Sequence, residues 1–224
     1  MKALILANGQ LSHPDQVRSL AREADLLLAA DGGTRHARTL GLRPHLVVGD
    51  LDSLSDSDLQ ALRASGTTLL QYPAAKDETD LELALVQAVQ RGADDILVCT
   101  ALGGRTDQTL ANVLLLALQE LVGRRCAIVE GPEAVFLIRG EVEVAGEPGD
   151  VFSLIPIGGD CHDIWTEGLE YPLAGGSLYL ARARGISNVL IAPRARVRVG
   201  RGTLLAVHRA QRVRTAWPTF TVWV

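Results

Sequence analysis

The chain has 224 residues, of which 47% are hydrophobic and 21% charged, with a formal net charge of −4. At ~150 residues per domain this length gives one large or two small domains, and the balance excludes disordered, collagen-like and coiled-coil chains. The longest apolar runs, such as Val113 to Leu118, fall short of the ~20 residues that span a bilayer, and no apolar leader with a cleavage site opens the chain, so a soluble cytoplasmic protein is expected.

In chain order, Ala3–Ala7 reads as a strand, the stretch after Pro14 as a helix, Leu26–Ala30 as a strand and Gly33–Leu40 as a helix. Leu46–Val48 (strand), Ser57–Ser65 (helix), Thr67–Tyr72 (strand), Glu78–Arg91 (helix) and Ile96–Cys99 (strand) continue the alternation. A last helix is expected over Thr106–Leu121, because Leu110, Val113, Leu114, Ala117, Leu118 and Leu121 recur at helical spacing before a stop at Gly123. Apolar runs alternating with helical patterns imply a parallel sheet covered on both faces.

From Cys126 the pattern changes to short β-like runs broken by Gly and Pro: 127–129, 134–138, 142–144, 151–155, 189–192, 195–199 and 203–207. Closely spaced strands with turn signals predict an antiparallel sandwich or barrel. The expected organisation is therefore an N-terminal α/β domain over 1–124 and a C-terminal antiparallel β-sandwich over 125–224. Residues 210–224 form an aromatic-rich extension that packs back onto the sandwich or onto a dimer partner, or adds an edge strand over 219–224. Arg194, Arg196 and Arg198 alternate with Ala195, Val197 and Val199, which puts the three arginines on one strand face, read as solvated.

Cys99, Cys126 and Cys161 lie far apart with no C-x-x-C pair, so they are expected as buried thiols rather than disulfides or zinc ligands. Charge is uneven. Residues 1–124 hold 16 acids and 11 bases, residues 125–224 hold 10 acids and 11 bases, and nine arginines but no acid follow Glu170.

The acids of the first half gather at strand ends, where an open parallel sheet places its ligand crevice. Asp31 runs into Gly32-Gly33. Asp50 and Asp52 follow the third strand in Gly49-Asp-Leu-Asp-Ser53, and an i, i+2 pair in extended chain points one way, so both can meet one cation. Magnesium favours such oxygen ligands together with substrate phosphates. Capping of the next helix by Asp52 or Ser53 is the plainer alternative. In Lys76-Asp-Glu-Thr-Asp80, Asp77 and Asp80 share a face if the first turn is helical, and again capping competes, with Asp77 as the cap. Lys76 is one of only two lysines in the chain and offers a compact charge for a phosphate. In Gly103-Gly-Arg-Thr-Asp107, paired glycines precede a helix N-terminus, a setting that favours anions, with Arg105 able to fork onto phosphate oxygens. Neither a G-x-G-x-x-G fingerprint nor a P-loop is present, and no Ser nucleophile elbow.

This ordered set, Asp31-Gly-Gly33, Gly49-Asp-Leu-Asp-Ser53, Lys76-Asp-Glu-Thr-Asp80 and Gly103-Gly-Arg-Thr-Asp107, resembles the thiamine pyrophosphokinase family. Ser153-Leu-Ile-Pro156, Thr166–Leu173 and Gly185-Ile-Ser-Asn188 look like that family's thiamine-side motifs, so the likeness covers about residues 3 to 208. It implies transfer of diphosphate from ATP to thiamine, giving thiamine diphosphate and AMP. It also implies a homodimer whose active sites lie between the α/β domain of one subunit and the sandwich of the other. On this reading Asp50, Asp52 and Asp80 hold Mg²⁺, and Asp50, Asp52, Asp77, Asp80 and Asp107 form the catalytic acids. Asp31, Gly32, Gly33, Lys76, Thr79, Gly103, Gly104 and Arg105 bind ATP. Tyr171, Ser187 and Asn188 bind thiamine, with Trp165 next in line.

The family usually has His where this chain has Gln108, which cannot carry a proton charge. Rival readings are a diphosphotransferase for another heterocyclic alcohol such as a hydroxymethylpterin, a metal-dependent glycosyltransferase, and a catalytically silent nucleotide-binding module. Nucleic-acid binding by the arginine-rich half has no fold signature behind it.

Overall fold

The computed structural model describes residues 1–223, and the described chain falls into two compact units, Met1–Leu121 and a second that begins at Val122. In the first unit the order is β1 (Lys2–Leu6), α1 (Pro14–Glu23), β2 (Leu26–Ala30), α2 (Gly33–Leu40), β3 (Leu46–Gly49), α3 (Asp56–Ala64), β4 (Thr68–Gln71), α4 (Asp80–Gln90), β5 (Asp95–Cys99) and α5 (Thr106–Leu114). The strands pair in parallel as β5-β1-β2-β3-β4. Ala3 to Leu6 and Ile96 to Cys99 are buried throughout, as strands covered on both faces must be. The strand order steps outward from β1 through β4 and then places β5 on β1's other side, so a topological switch lies between β1 and β5.

Local chemistry sets the helix starts. Ser55 caps α3 in a capping box with Asp58, and Thr79 caps α4 by accepting from the Glu82 amide. Neither Asp52 nor Asp77 is a cap. The expected helix over Thr106–Leu121 is shorter: α5 ends at Leu114 and tightens into two 3₁₀ turns, Leu115–Ala117 and Gln119–Leu121. The tighter winding turns Leu116, which lies off the expected stripe, into the core together with Leu121 from its end, while Leu110 and Leu114 of that stripe stay exposed.

The second unit is antiparallel: β6 (Arg125–Glu130), β7 (Glu133–Ile138), β8 (Glu141–Ala145), β9 (Val151–Glu167), β10 (Ala174–Leu178), β11 (Asn188–Val189), β12 (Arg194–Arg209) and β13 (Phe220–Trp223). The two runs expected at 195–199 and 203–207 are one strand, β12, which pairs with β8 through its first part, with β7 through its last, and with β9 along its length. Pro156, Gly158 and Gly159 do not end β9 either. A register shift opposite Arg201 and Thr203 absorbs the extra residues as a bulge. Arg194, Arg196 and Arg198 are exposed and alternate with buried Ala195, Val197 and Val199. They ion-pair with Glu143, Glu141 and Asp163 respectively.

The extension both packs back and adds an edge strand. β13 pairs with β8, and Phe220 stacks on Phe136 of β7 at 4.4 Å between ring centroids. Position 224 of the expected strand lies outside the described residues. The segment leading to β13 is anchored by Asp150, which is 1% exposed and accepts from Glu147 N, His208 Nε2, Gln211 N and Arg214 Nη2 at 2.7–3.1 Å. Burial pushes the Asp150 carboxyl up, but these donors outweigh it and hold it below the usual carboxylate range. Burial also holds the His208 imidazole below its ordinary value, against the pull of Asp150. All three cysteines are buried thiols outside any disulfide.

Candidate active site

The C-terminal ends of all five parallel strands open onto one cavity of about 830 Å³ in the first unit. After β1 it is lined by Asn8, Gly9 and Gln10, and after β2 by Asp31. Asp50 follows β3. Lys76, Glu78, Thr79 and Asp80 stand between β4 and α4, while Gly103, Gly104 and Arg105 follow β5, with Gln108, Ala111 and Asn112 on α5. The loops after β1 and β5 zip together at the switch point, Gly9 N donating to Thr100 O (2.6 Å) and Gln10 N to Leu102 O (3.0 Å). A side chain at Gly9 would lie 2.5 Å from Thr100 O, so glycine is required for that approach. Gly103 has φ +83° and faces the Gln10 side chain, which leaves backbone rather than side chain at the cavity wall.

Asp31, Asp50 and Asp52 offer carboxylate oxygens that all lie within 4.8 Å of one another. Their convergence arises differently from the expected extended pair. Leu51 takes a left-handed φ of +64°, and Asp50 Oδ1 accepts from Asp52 N at 3.1 Å, so a tight turn folds the two acids together. Ser53 Oγ then donates to Asp31 Oδ1 at 2.9 Å, tying that turn to the end of β2. The charge of Asp50 first, then a hydrogen bond with Asp50 and the further charges of Asp31 and Asp80, raise the Asp52 carboxyl above the usual range. Three mutually repelling carboxylates with hard oxygen donors suit a divalent cation such as Mg²⁺. Asp80, expected among the ligands, is not a member of this close set. It ion-pairs instead with Lys76 at 3.0 Å, and burial raises its carboxyl although Lys76 opposes the shift.

Four other expected residues stand elsewhere than anticipated. Asp77 is exposed and does not line the cavity. Asp107 also lies off the lining. Its carboxylate accepts from Arg105 Nε at 3.1 Å and Nη2 at 2.5 Å, and these bonds hold it below the usual carboxylate range. Its place is to orient Arg105. Gly32 and Gly33 do not line the cavity, because they admit the Asn8 side chain and the Leu6 carbonyl against the start of α2.

In the second unit Tyr171, Ser187 and Asn188 are neighbours. Tyr171 is 65% exposed. Asn188 accepts from Tyr171 N at 3.0 Å and donates to Tyr171 O at 2.8 Å, so its amide clamps the backbone that presents the ring. Ser187, at φ +60°, donates its amide to Ser153 Oγ at 3.0 Å, which leaves its own hydroxyl outside that bond. Trp165 carries the Arg198 guanidinium 5.6 Å from its ring centroid and donates Nε1 to Asp163 at 2.6 Å. A cation already covers that ring.

Two family models match this chain, one described as the thiamin pyrophosphokinase catalytic domain over residues 17–127, the other as the thiamin pyrophosphokinase vitamin B1 binding domain over residues 140–204. The chain belongs to the thiamin pyrophosphokinase family. A thiamine pyrophosphokinase of Bacillus subtilis (strain 168) is 27% identical over 206 residues, 91% of this chain and 96% of that protein. The crystal structure of thiamine pyrophosphokinase from Bacillus subtilis matches with a TM-score of 0.80 at 26% identity, over 94% of this chain and 100% of its own. That from Geobacillus thermodenitrificans matches at 0.77 and 27%, over 94% and 98%. The yeast thiamin pyrophosphokinase structure, at 0.76 and 16% over 96% and 86%, bears on the fold alone.

Sequence reasoning missed Asn8, Gln10 and Asn112 as cavity residues. Asn8-Gly9-Gln10 stands directly after an apolar strand, the same signal that marked Asp31 and Asp50, and the polar run at that strand end could have been read the same way. Asn112 had no such signal. Its amide donates to Ala101 O at 2.7 Å, so it braces the loop after β5.

Proposed function

We propose that the protein transfers the diphosphate group of ATP to the hydroxyl of thiamine, giving thiamine diphosphate and AMP, with Mg²⁺ as the metal. The observation that carries the reading is one cavity lined by Asp31, Asp50, a lysine and a glycine-arginine loop, with Asp52 off the lining but its carboxylate within 4.8 Å of those two acids, in a chain matched over both units by thiamin pyrophosphokinase family models. In the transfer, the thiamine hydroxyl oxygen bonds to the β-phosphorus of ATP and gives up its proton to one of the cavity carboxylates, the bond from that phosphorus to the α-phosphate bridge breaks, and AMP departs. Such chemistry asks mainly for positioning and for neutralised phosphate charge.

Lys76, fixed by its ion pair with Asp80, supplies a point charge to phosphate oxygens. Arg105, steadied by Asp107, supplies a second, forked one. Backbone at Gly103 and Gly104 allows the nucleotide to come close, and Thr79 stands beside it at the start of α4. Asp31, Asp50 and Asp52 would hold Mg²⁺, which when bound offsets the charge of the phosphates. Thiamine is a flat cation, suited to the exposed face of Tyr171, with the Ser187 hydroxyl as a polar contact and Asn188 holding the ring's backbone in place.

The same reading takes the protein as a homodimer in which Tyr171 and Ser187 of one subunit serve the nucleotide cavity of the other. The exposed Leu110 and Leu114 on α5, beside the cavity residues Ala111 and Asn112, support association. It is read as cytoplasmic, which agrees with three cysteines outside any disulfide. Incubation with ATP, Mg²⁺ and thiamine is expected to yield AMP and thiamine diphosphate in equal amounts. AMP release that does not depend on thiamine, or that is supported equally by a hydroxymethylpterin, would overturn the acceptor. A monomer by light scattering at assay concentration would overturn the shared site.

A further inference from the structure

The first unit carries a second cavity, of about 340 Å³, between α2, the loop after it and α3, and it shares no lining residue with the nucleotide cavity. Its origin lies in the sequence of α3, Asp-Ser-Asp-Leu-Gln-Ala-Leu-Arg-Ala, which buries none of its residues fully. Only Leu59 and Leu62 of that helix join Leu54 against the core formed by Ala29, Val47 and Leu51. A helix with so narrow an apolar stripe rests on the sheet along one line. Beside that line, apolar surface of Ala37, Leu42, Leu54, Ala61 and Leu62 is left facing the trough.

Two features of the trough point to a ligand. The first is charge: Arg35, Arg38 and Arg43 line it against a single acid, Asp58. Asp58 is taken by Arg38 at 2.8 Å, and Arg35 donates to Asn8 at 3.0 Å. Arg43 is exposed and has no ion pair among the described residues. The second is Thr34, a lining residue only 6% exposed whose hydroxyl oxygen has no hydrogen-bond partner. A buried hydroxyl without a partner is unfavourable by itself and is relieved by a ligand atom.

We propose that this groove binds a small organic anion with an aromatic or alkyl body and one carboxylate, sulfonate or phosphate head. The body lies on Leu42, Leu54 and Leu62, and the head meets Arg43 and Arg38. The cavity volume falls within the range of small-molecule sites, about 300–1,000 Å³. Ser53 belongs to the same lining and donates to Asp31 at 2.9 Å, so an occupant touches the turn that carries Asp50 and Asp52. Binding itself does not rest on the proposed reaction.

The test is a fluorescence titration of the full-length protein with 1-anilinonaphthalene-8-sulfonate, an aromatic body with one sulfonate. One saturable site is expected, and ATP should leave the probe in place. Affinity should fall at least tenfold in Arg43→Glu and be lost in Ala61→Trp, which fills the trough from an exposed position. The uncharged relative N-phenyl-1-naphthylamine should bind at least tenfold more weakly. Native affinity in Arg43→Glu, displacement of the probe by ATP, or equal binding of the uncharged relative would each overturn the proposal. Should Ala61→Trp fail to fold by circular dichroism, Arg43→Glu and the uncharged relative decide it.

Discussion

Gly49, the last residue of β3, is the position at which the gathering of the acids can be perturbed without removing any of them. A methyl group there would lie 2.9 Å from the Asp31 Cβ and 3.3 Å from the Asp80 Cγ. Carbon atoms rest at about 3.5–4.0 Å, so in Gly49→Ala the Asp31 side chain has to retreat by roughly half an ångström or more, and Asp80 by less. Overpacking of this kind costs about 1–3 kcal/mol, and the φ of +155° at Gly49, rarely adopted by a residue with a Cβ, adds backbone strain, so the melting shift worked from overpacking is a lower bound. At about 2–4 °C per kcal/mol for a chain of this size, the melting temperature falls by roughly 2–12 °C. Activity suffers more, because a displacement of ~1 Å at a reacting group can cost ~100-fold. A tenfold to hundredfold loss in kcat for thiamine-dependent AMP formation is expected, from protein that still melts cooperatively. Native turnover in Gly49→Ala would refute the reasoning, since it would mean that the spacing of Asp31 and Asp80 does not matter.

Asp52→Asn removes the most strained charge of the triad, so the protein without metal should be at least as stable as the native one, while its stabilisation by millimolar Mg²⁺ in a thermal melt largely disappears together with AMP release. A native Mg²⁺ response would remove Asp52 from the metal site. Tyr171→Ala should raise KM for thiamine tenfold or more with little change in that for ATP, and an equal rise in both would argue against stacking. Asp150→Asn leaves Arg214 without its buried counter-charge and turns an amide donor toward the Gln211 N–H. Removing one partner of a buried pair costs about 3–5 kcal/mol, the lower end applying here because the Arg214 side chain is 33% exposed. Loss of tail order, followed through buried Trp217, should precede global melting, and a melt within 1 °C of native would refute the anchoring role. The folded-state pKa values of both His208 and Asp150 are depressed, so the unfolded chain takes up protons first as pH falls. Stability should decline below the ordinary histidine value of about 6.5 and again below the ordinary aspartate value of about 3.9. His208→Gln should flatten the fall in melting temperature between pH 7.5 and 5, and an unchanged slope would exclude His208 as its source.

Periodicity along the chain was enough to set the α/β-then-antiparallel order, because alternation of apolar runs with amphipathic stretches is a local property that few folds can absorb. The acids at strand ends were legible for the same reason: a carboxylate directly after a buried strand has to emerge at the sheet's C-terminal edge. Local pattern failed where neighbours in space override it. Pro156 and the glycines at 158 and 159 read as breaks in β9, yet a partner strand sixteen residues long carries β9 across them. Leu110 and Leu114 read as core and are exposed, because the chain tightens after α5 and buries Leu116 instead.

By itself, then, the sequence determined which residues are chemically fit for the site and roughly where along each strand they emerge, since burial and capping preferences act within a few residues. It could not determine which of them meet. That β5 lies beside β1, so that Asn8, Gln10 and the Gly103 loop share one wall, follows from strand order. That Asp31 rather than Asp80 completes the acidic triad follows from the left-handed turn at Leu51 and the hydrogen bond from Ser53. The strand order and the Ser53–Asp31 bond are contacts between segments tens of residues apart, and such contacts leave no periodic trace in the chain.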